Sequence, residues 1–192
     1  LLYPDLFKAM NYAKNKGLEV WLNTNASLLD QETCQRLAQL ADNVLIPIES
    51  WSEEGEERIT GHKQALEKKI NAIRMLHQSG VQVVRVGTVA TRENIENFDK
   101  LADLLHLPIS QWEFYRPISR TGAAAQINGS DMEKLAIKIM DLRQRTDKSV
   151  IIANTVPFCA VSLPNKLNAA SSGVLFDEGH RRGVVDTRGC AN

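Results

Sequence analysis

Val81-Gln82-Val83-Val84-Arg85-Val86-Gly87-Thr88-Val89 is the stretch that decides the fold. A strand with so little alternation between apolar and polar positions is covered on both faces, as the strands of parallel sheets are. A helical segment precedes it, from about His62 to Gln78, with Leu66, Ile70, Ile73 and His77 recurring on one face and Gly80 as its stop. Another follows, opened by Asn94 and running through Leu105. The same alternation continues outward in both directions. Toward the amino end lie a helix from about Pro4 to Lys16, a strand Leu18 to Leu22, a helix capped by Asp30 through about Ala41, and a strand Val44 to Ile48. Toward the carboxyl end come a strand Ile109 to Phe114, a helix capped by Ser130 to about Arg145, and a strand Val150 to Ala153. Strand centres separated by roughly 26 to 38 residues follow a βα repeat. Right-handed crossovers curl such a series into a barrel or an open doubly wound sheet.

Polar side chains collect at one end of these runs. Asn23, Thr24 and Asn25 close the first strand, Glu49 and Ser50 the second, Thr88 and Thr91 the third, and Tyr115 and Arg116 the fourth. In a parallel α/β sheet the carboxyl ends of the strands open on one face, where ligands bind. Unpaired polar groups are costly in an interior, so several at one end of one sheet suggest a site.

Composition narrows the function classes. Of the 192 residues 43% are hydrophobic, which supports a sizeable core. Lys plus Arg and Asp plus Glu are 23 each, a formal net charge of +0 that argues against a nucleic-acid partner. There is no apolar run of membrane-spanning length and no charged-then-apolar leader, so no membrane partner is expected and the cytoplasm is the expected compartment. Cys34, Cys159 and Cys190 are too sparse for a disulfide framework, and no pair has the spacing of a zinc knuckle or cluster loop. His62, His77, His106 and His180 show no paired spacing, and Arg120-Thr121-Gly122-Ala123 lacks the lysine of a phosphate-binding P-loop. The acidic run Glu53 to Glu57 reads as a solvated loop. The chain opens on Leu1-Leu2-Tyr3 and closes on Arg188-Gly189-Cys190-Ala191-Asn192, and reads as a piece of a longer protein. Past Asn154, proline and glycine punctuate short apolar runs, which divides the chain into residues 1–153 and a small β-rich appendage, 154–192.

Six pieces of the sequence, in order, resemble the radical S-adenosylmethionine (radical SAM) enzyme family. LLYPDLFKAMNYAKNKGLEVWLNTNASLL (1–29) resembles the segment after the family's Gly-Gly-Glu-Pro motif, with Thr24-Asn25-Ala26 where the family typically has Thr-Asn-Gly. IPIES (46–50) is similar to its Ile-Ser-Leu-Asp-Gly strand, and EERITG (56–61) to its His-Asp-Arg-Ile-Arg-Gly. VRVGTVATRENI (84–95) is similar to its fifth strand and following helix, and WEFYRPISRTGAA (112–124) to its sixth strand. The resemblance implies a partial (β/α)6 TIM-type barrel whose first two strands are missing. Pro47, Ser50 and Thr60 depart from the family's serine, glycine and second arginine, and Glu49 stands for its aspartate.

What the resemblance implies about function follows. The whole protein binds S-adenosyl-L-methionine and a 4Fe–4S cluster whose C-x3-C-x2-C ligands lie upstream, takes an electron from a donor such as flavodoxin or ferredoxin, and abstracts a hydrogen atom from a substrate. That substrate is a peptide or a small molecule such as a tetrapyrrole-type precursor; the piece alone is expected to be inactive. Glu49 accepts from ribose hydroxyls or caps the following helix; Arg58 reaches a carboxylate or is a solvated helix-start charge. Thr24 and Asn25 bond the cofactor or form an Asx-type turn. Ser50, Thr88 and Arg116 complete the cofactor-facing set, against the alternatives that Thr88 is a strand former and Arg116 pairs within its loop. PFCAV (157–161) and GHRRGVVDTRG (179–189) look like an auxiliary-cluster extension of the SPASM or twitch type, which makes Cys159 a candidate ligand of a second iron–sulfur cluster. Cys190 is a weaker candidate, and Cys34 belongs to a helix core. Two other readings stay open: a phosphate-binding (β/α)8 barrel enzyme, and a non-catalytic barrel that binds a peptide or partner.

Overall fold

The structure, a computed structural model, describes residues 3–117 and 127–153. Its strands are β1 (Trp21–Asn23), β2 (Asn43–Pro47), β3 (Val83–Val89), β4 (Gln111–Tyr115) and β5 (Ser149–Ile152). They lie in one sheet in chain order, and β1 with β2 and β2 with β3 pair in parallel, Trp21 opposite Asn43 and Asn43 opposite Val83. The expected α/β barrel-type architecture is thus present as five strands, each a few residues shorter than or displaced from its apolar run. The chain divides into two compact units, one within Leu1–Gly87 and Asp103–Gln111, the other within Thr88–Ala102 and Trp112–Asn192. Among the described residues no helix is long and apolar enough to cross a membrane.

In the first unit, α1 (Leu6–Asn15) begins two residues later than Pro4 and ends at the expected place, where Gly17 takes φ 74°. Helix α2 (Gln31–Leu40) is capped as expected: Asp30 accepts from the Thr33 N–H at 2.8 Å. It buries Cys34 and Leu37, and in and just after β2 Val44, Ile46 and Ile48 are fully enclosed. Two expectations fail after β2. The acidic run is not a loop but a helix, α3 (Glu53–Thr60), because Ser52 caps it and Gly61 at φ 72° closes it. The next helix, α4 (Ala65–Gln78), therefore starts later than His62. Its buried stripe is Leu66, Lys69, Ala72, Ile73 and Leu76, while His77 is exposed.

In the second unit the segment after β3 is broken into α5 (Arg92–Glu96), α6 (Phe98–Ala102) and a 3₁₀ turn over Asp103–His106 that returns to the first unit. The start is set by Thr91, whose Oγ1 accepts from the Asn94 N–H at 3.1 Å; Asn94 does not open the helix. The break falls at Asn97, whose amide donates to the Glu93 carbonyl and so competes with continued helix. Helix α7 (Gly129–Arg143) is capped by Asn128 rather than Ser130, in a reciprocal capping box with Asp131. Its buried Leu135, Ala136 and Ile139 belong to the same core as Phe98, Trp112 and Phe114, where the Trp112 and Phe114 rings stack 5.7 Å apart.

Candidate functional site

The first unit presents two adjacent strand ends. At the carboxyl end of β1, Thr24 is buried and its Oγ1 accepts from the Ala26 N–H at 3.2 Å. Exposed Asn25 uses its Oδ1 to accept from both the N–H and the hydroxyl of Ser27, at 3.2 and 2.9 Å. The Asx-type turn allowed by the sequence is formed, with its amide nitrogen turned away from that turn. Ala26 takes φ 64°, the left-handed region that a glycine adopts without penalty and that disfavours a residue with a Cβ by about 1 kcal/mol. The conformation is thus one suited to glycine, the residue expected there from the resemblance, although the chain carries alanine.

At the carboxyl end of β2 the geometry is tighter. The N–H groups of Glu49 and Ser50 both donate to Glu56 Oε2, at 2.8 and 2.9 Å. The other carboxylate oxygen, Oε1, accepts from the Lys69 ammonium. The Glu56 and Lys69 side chains are 0% and 5% exposed. Burying two ions is tolerable only when their remaining hydrogen-bonding capacity is met, and here two backbone donors complete the carboxylate. Helix α3 supplies Glu56, helix α4 supplies Lys69, and between them they fasten the strand end that carries Glu49. Glu49 itself is partly exposed, and Arg58, further along α3, is exposed.

Ser50 points inward, 2% exposed. A Cβ placed on Gly55 would lie 2.0 Å from Ser50 Oγ, so the hydroxyl that replaces the family's glycine is accommodated because residue 55 has no side chain.

In the second unit Thr88 is fully buried and its Oγ1 accepts from the Trp112 indole N–H at 2.8 Å. Thr91 serves as a helix cap, as described above. Arg116 is exposed. Cys159 and Cys190 lie outside the described residues. Cys34 packs in the core as expected, its thiol pushed up to about 11, mainly by burial and secondarily by the Asp30 charge. Among the described residues there is no group of three His, Cys, Asp or Glu side chains that could hold a metal ion.

Two concavities border the end of β1. One, of about 330 Å³, is lined by Leu22, Thr24, Asn25 and Leu28 among others. The second, of about 370 Å³, is lined by Asn25, Thr60, His62, Lys63 and Lys68 among others, and among the described residues no carboxylate contributes to its wall.

Sequence reasoning overlooked Glu56 and Lys69. Glu56 left no signal, since it sits in a run of acidic residues that look solvated. Lys69 did: it falls three residues after Leu66 and four before Ile73, at a core-facing register where an unpartnered ammonium is not tolerated.

Comparisons with known proteins bear on the family and the fold. The sequence model described as Radical SAM superfamily matches residues 1–105. The AdoMet-dependent heme synthase of Methanosarcina barkeri is 25% identical over 139 residues, 70% of this chain and 40% of that protein. The PqqA peptide cyclase of Gluconobacter oxydans is 29% identical over 99 residues, 51% of this chain and 27% of that protein. Among solved structures, Streptococcus suis SuiB superposes with a TM-score of 0.71 at 16% identity, covering 83% of this chain and 38% of that one. The chain thus spans well under half the length of each of these relatives.

Proposed function

The chain belongs to the radical SAM superfamily, and from that premise we propose that the protein binds S-adenosyl-L-methionine beside a 4Fe–4S cluster and abstracts a hydrogen atom from a peptide substrate. The observation that carries the proposal is the fastened end of β2. Glu49, a partly exposed residue, is held there by its own backbone N–H, at the strand ends where Asn25 follows the neighbouring β1.

These residues fit a zwitterionic nucleoside ligand. A ribose needs an acceptor for paired hydroxyls, which Glu49 offers, and a polar amide donor such as that of Asn25 suits the ligand's carboxylate. Arg58 is an exposed cation on α3, while Thr24 and Ser50 shape the two strand ends, Thr24 through its turn and Ser50 through its packing on Gly55. Of the two candidates in the second unit, the Thr88 hydroxyl is enclosed and engaged by the Trp112 indole, and Arg116 is exposed. The described residues do not fit the cluster, for which they offer no ligand set. We assign its cysteines to sequence outside them, with Cys159 as a candidate ligand of a second cluster in a SPASM-like appendage, and a flavodoxin or ferredoxin as electron donor in the cytoplasm.

When bound, the cofactor supplies homolytic hydrogen abstraction. This chain's residues orient the ligand and exclude water, and none of them needs to move a proton. The PqqA peptide cyclase likeness supports a peptide over a small molecule as substrate.

The test is anaerobic iron–sulfide reconstitution of the full-length protein, followed by reduction in the presence of S-adenosylmethionine. Release of 5′-deoxyadenosine is expected, with weakened S-adenosylmethionine binding in Glu49→Gln. A reconstituted protein that neither binds S-adenosylmethionine nor releases 5′-deoxyadenosine overturns the reading in favour of a non-catalytic barrel.

A further inference from the structure

The cavity beside Asn25 has an unusual charge balance for a chain whose cations and anions are equal in number. Lys63, Lys68 and His62 line it, and among the described residues neither Lys63 nor Lys68 has a carboxylate partner. The nearby acids are committed elsewhere. Glu56 is enclosed with Lys69, which also borders the cavity and is already neutralised. Glu53 accepts from the Leu66 and Glu67 N–H groups at 3.2 and 3.1 Å, capping α4 from within the chain. Two N–H groups of the helix start are thus satisfied within the chain, and the lysine side chains add positive character to the cavity. Lys68 donates to the Lys63 carbonyl at 3.3 Å, which brings the two residues together at one rim. Across from them Asn25 has its Oδ1 fixed by Ser27, and among the described residues its amide nitrogen donates to nothing.

We infer that this cavity is a subsite for acidic side chains of the substrate peptide. The inference rests on the proposed peptide-modifying function and adds a sequence preference to it. Lysines are flexible point charges, and no arginine fork is found among the described lining residues. Distributed ammonium groups suit carboxylates on a chain passing through. The volume of about 370 Å³ lies within the range of ligand pockets and exceeds what a single carboxylate fills.

The experiment measures binding to the full-length protein of four probes: an acetylated, amidated Gly-Glu-Glu-Gly peptide, its Gly-Gln-Gln-Gly counterpart, inorganic phosphate, and S-adenosylmethionine. Two exposed ion pairs predict about fivefold tighter binding of the glutamyl peptide, a preference that shrinks as salt is raised. In Lys63→Gln/Lys68→Gln the preference should vanish while S-adenosylmethionine binding stays the same. Both lysines are exposed, so the variant should fold, and Lys63→Glu/Lys68→Glu should reverse the preference toward a lysyl peptide. Equal binding of the two peptides, an unaltered preference in the variants, or phosphate binding tighter than the glutamyl peptide overturns the inference. So does a parallel loss of S-adenosylmethionine affinity, which would assign the lysines to the cofactor. Failure of the underlying reading looks different: S-adenosylmethionine then does not bind the unaltered protein at all.

Discussion

The end of β2 in one unit and the end of β3 in the other are fastened by different chemistry. At β2 a fully buried carboxylate, balanced by a buried ammonium, grips two consecutive backbone N–H groups. At β3 the terminal hydroxyl of Thr88 is absorbed into an aromatic core, accepting from Trp112 beside Phe114. Both solutions satisfy buried polar atoms, but they leave different residues outside. Charge fastening works through the backbone and leaves Glu49 partly exposed; neutral fastening engages the side chain itself, and Thr88 is enclosed. A polar residue at a strand's carboxyl end is therefore a candidate for ligand contact only when something else holds the strand.

The contrast is broken most severely by Lys69→Met. Glu56 would be left as an uncompensated buried charge, and urea unfolding should show a loss of about 3–5 kcal/mol. Adding Glu56→Gln should recover most of it, since a side-chain carbonyl can still accept from Glu49 and Ser50. Next comes Gly55→Ala, which drives a methyl into the Ser50 hydroxyl and should cost about 2–3 kcal/mol. In a Ser50→Gly background the same change should be neutral or stabilising, because alanine is the better helix former; a full loss in both backgrounds would reject the pairing.

The neutral fastening should yield more gently. Thr88→Val removes the acceptor of the Trp112 indole and should cost about 1–2 kcal/mol by denaturant titration. Ala26→Gly relieves the left-handed alanine at the end of β1 and should raise stability by about 0.5–1 kcal/mol, read as an upward shift in urea midpoint.

The smallest effect is a pH dependence found in both units. In the first, the Lys14 ammonium and then the Val20 N–H hold the Asp42 carboxyl below its ordinary 3.8. In the second, the Asn128 N–H and then Arg92 do the same for Asp131. A carboxyl whose folded value is lowered contributes stability that is complete above the unfolded value and disappears as pH falls through the folded one. Stability should therefore decline on acidification below about pH 4, and Asp42→Asn or Asp131→Asn should each flatten that decline. Unfolding curves taken from pH 7 down to pH 2.5 check this.

Much of the architecture was readable in advance. Apolar runs such as Val44 to Ile48 and Val81 to Val89 could only be covered strands, and Asp30 and Gly17 marked helix ends through their own backbone chemistry. Helix starts were misplaced where two polar residues competed for the cap: Asn128 won over Ser130, and Thr91 over Asn94, because the winner's oxygen reached the third following N–H. The site was less legible. Thr24, Asn25 and Glu49 could be placed at strand ends from the sequence alone, but what holds Glu49 depended on Glu56, one of several neighbouring acidic residues that the sequence does not tell apart. Burial of a charge is decided by a partner thirteen residues away, and local pattern carries no such information.

The ion pair beneath Glu49 also has a polarity. Exchanging its members, with lysine at 56 and glutamate at 69, would conserve charge and approximate volume yet aim an ammonium at two amide hydrogens that require an acceptor. Charge-swapped descendants are thus closed to this lineage, and any drift away from the pair must pass through uncharged substitutes at both positions together.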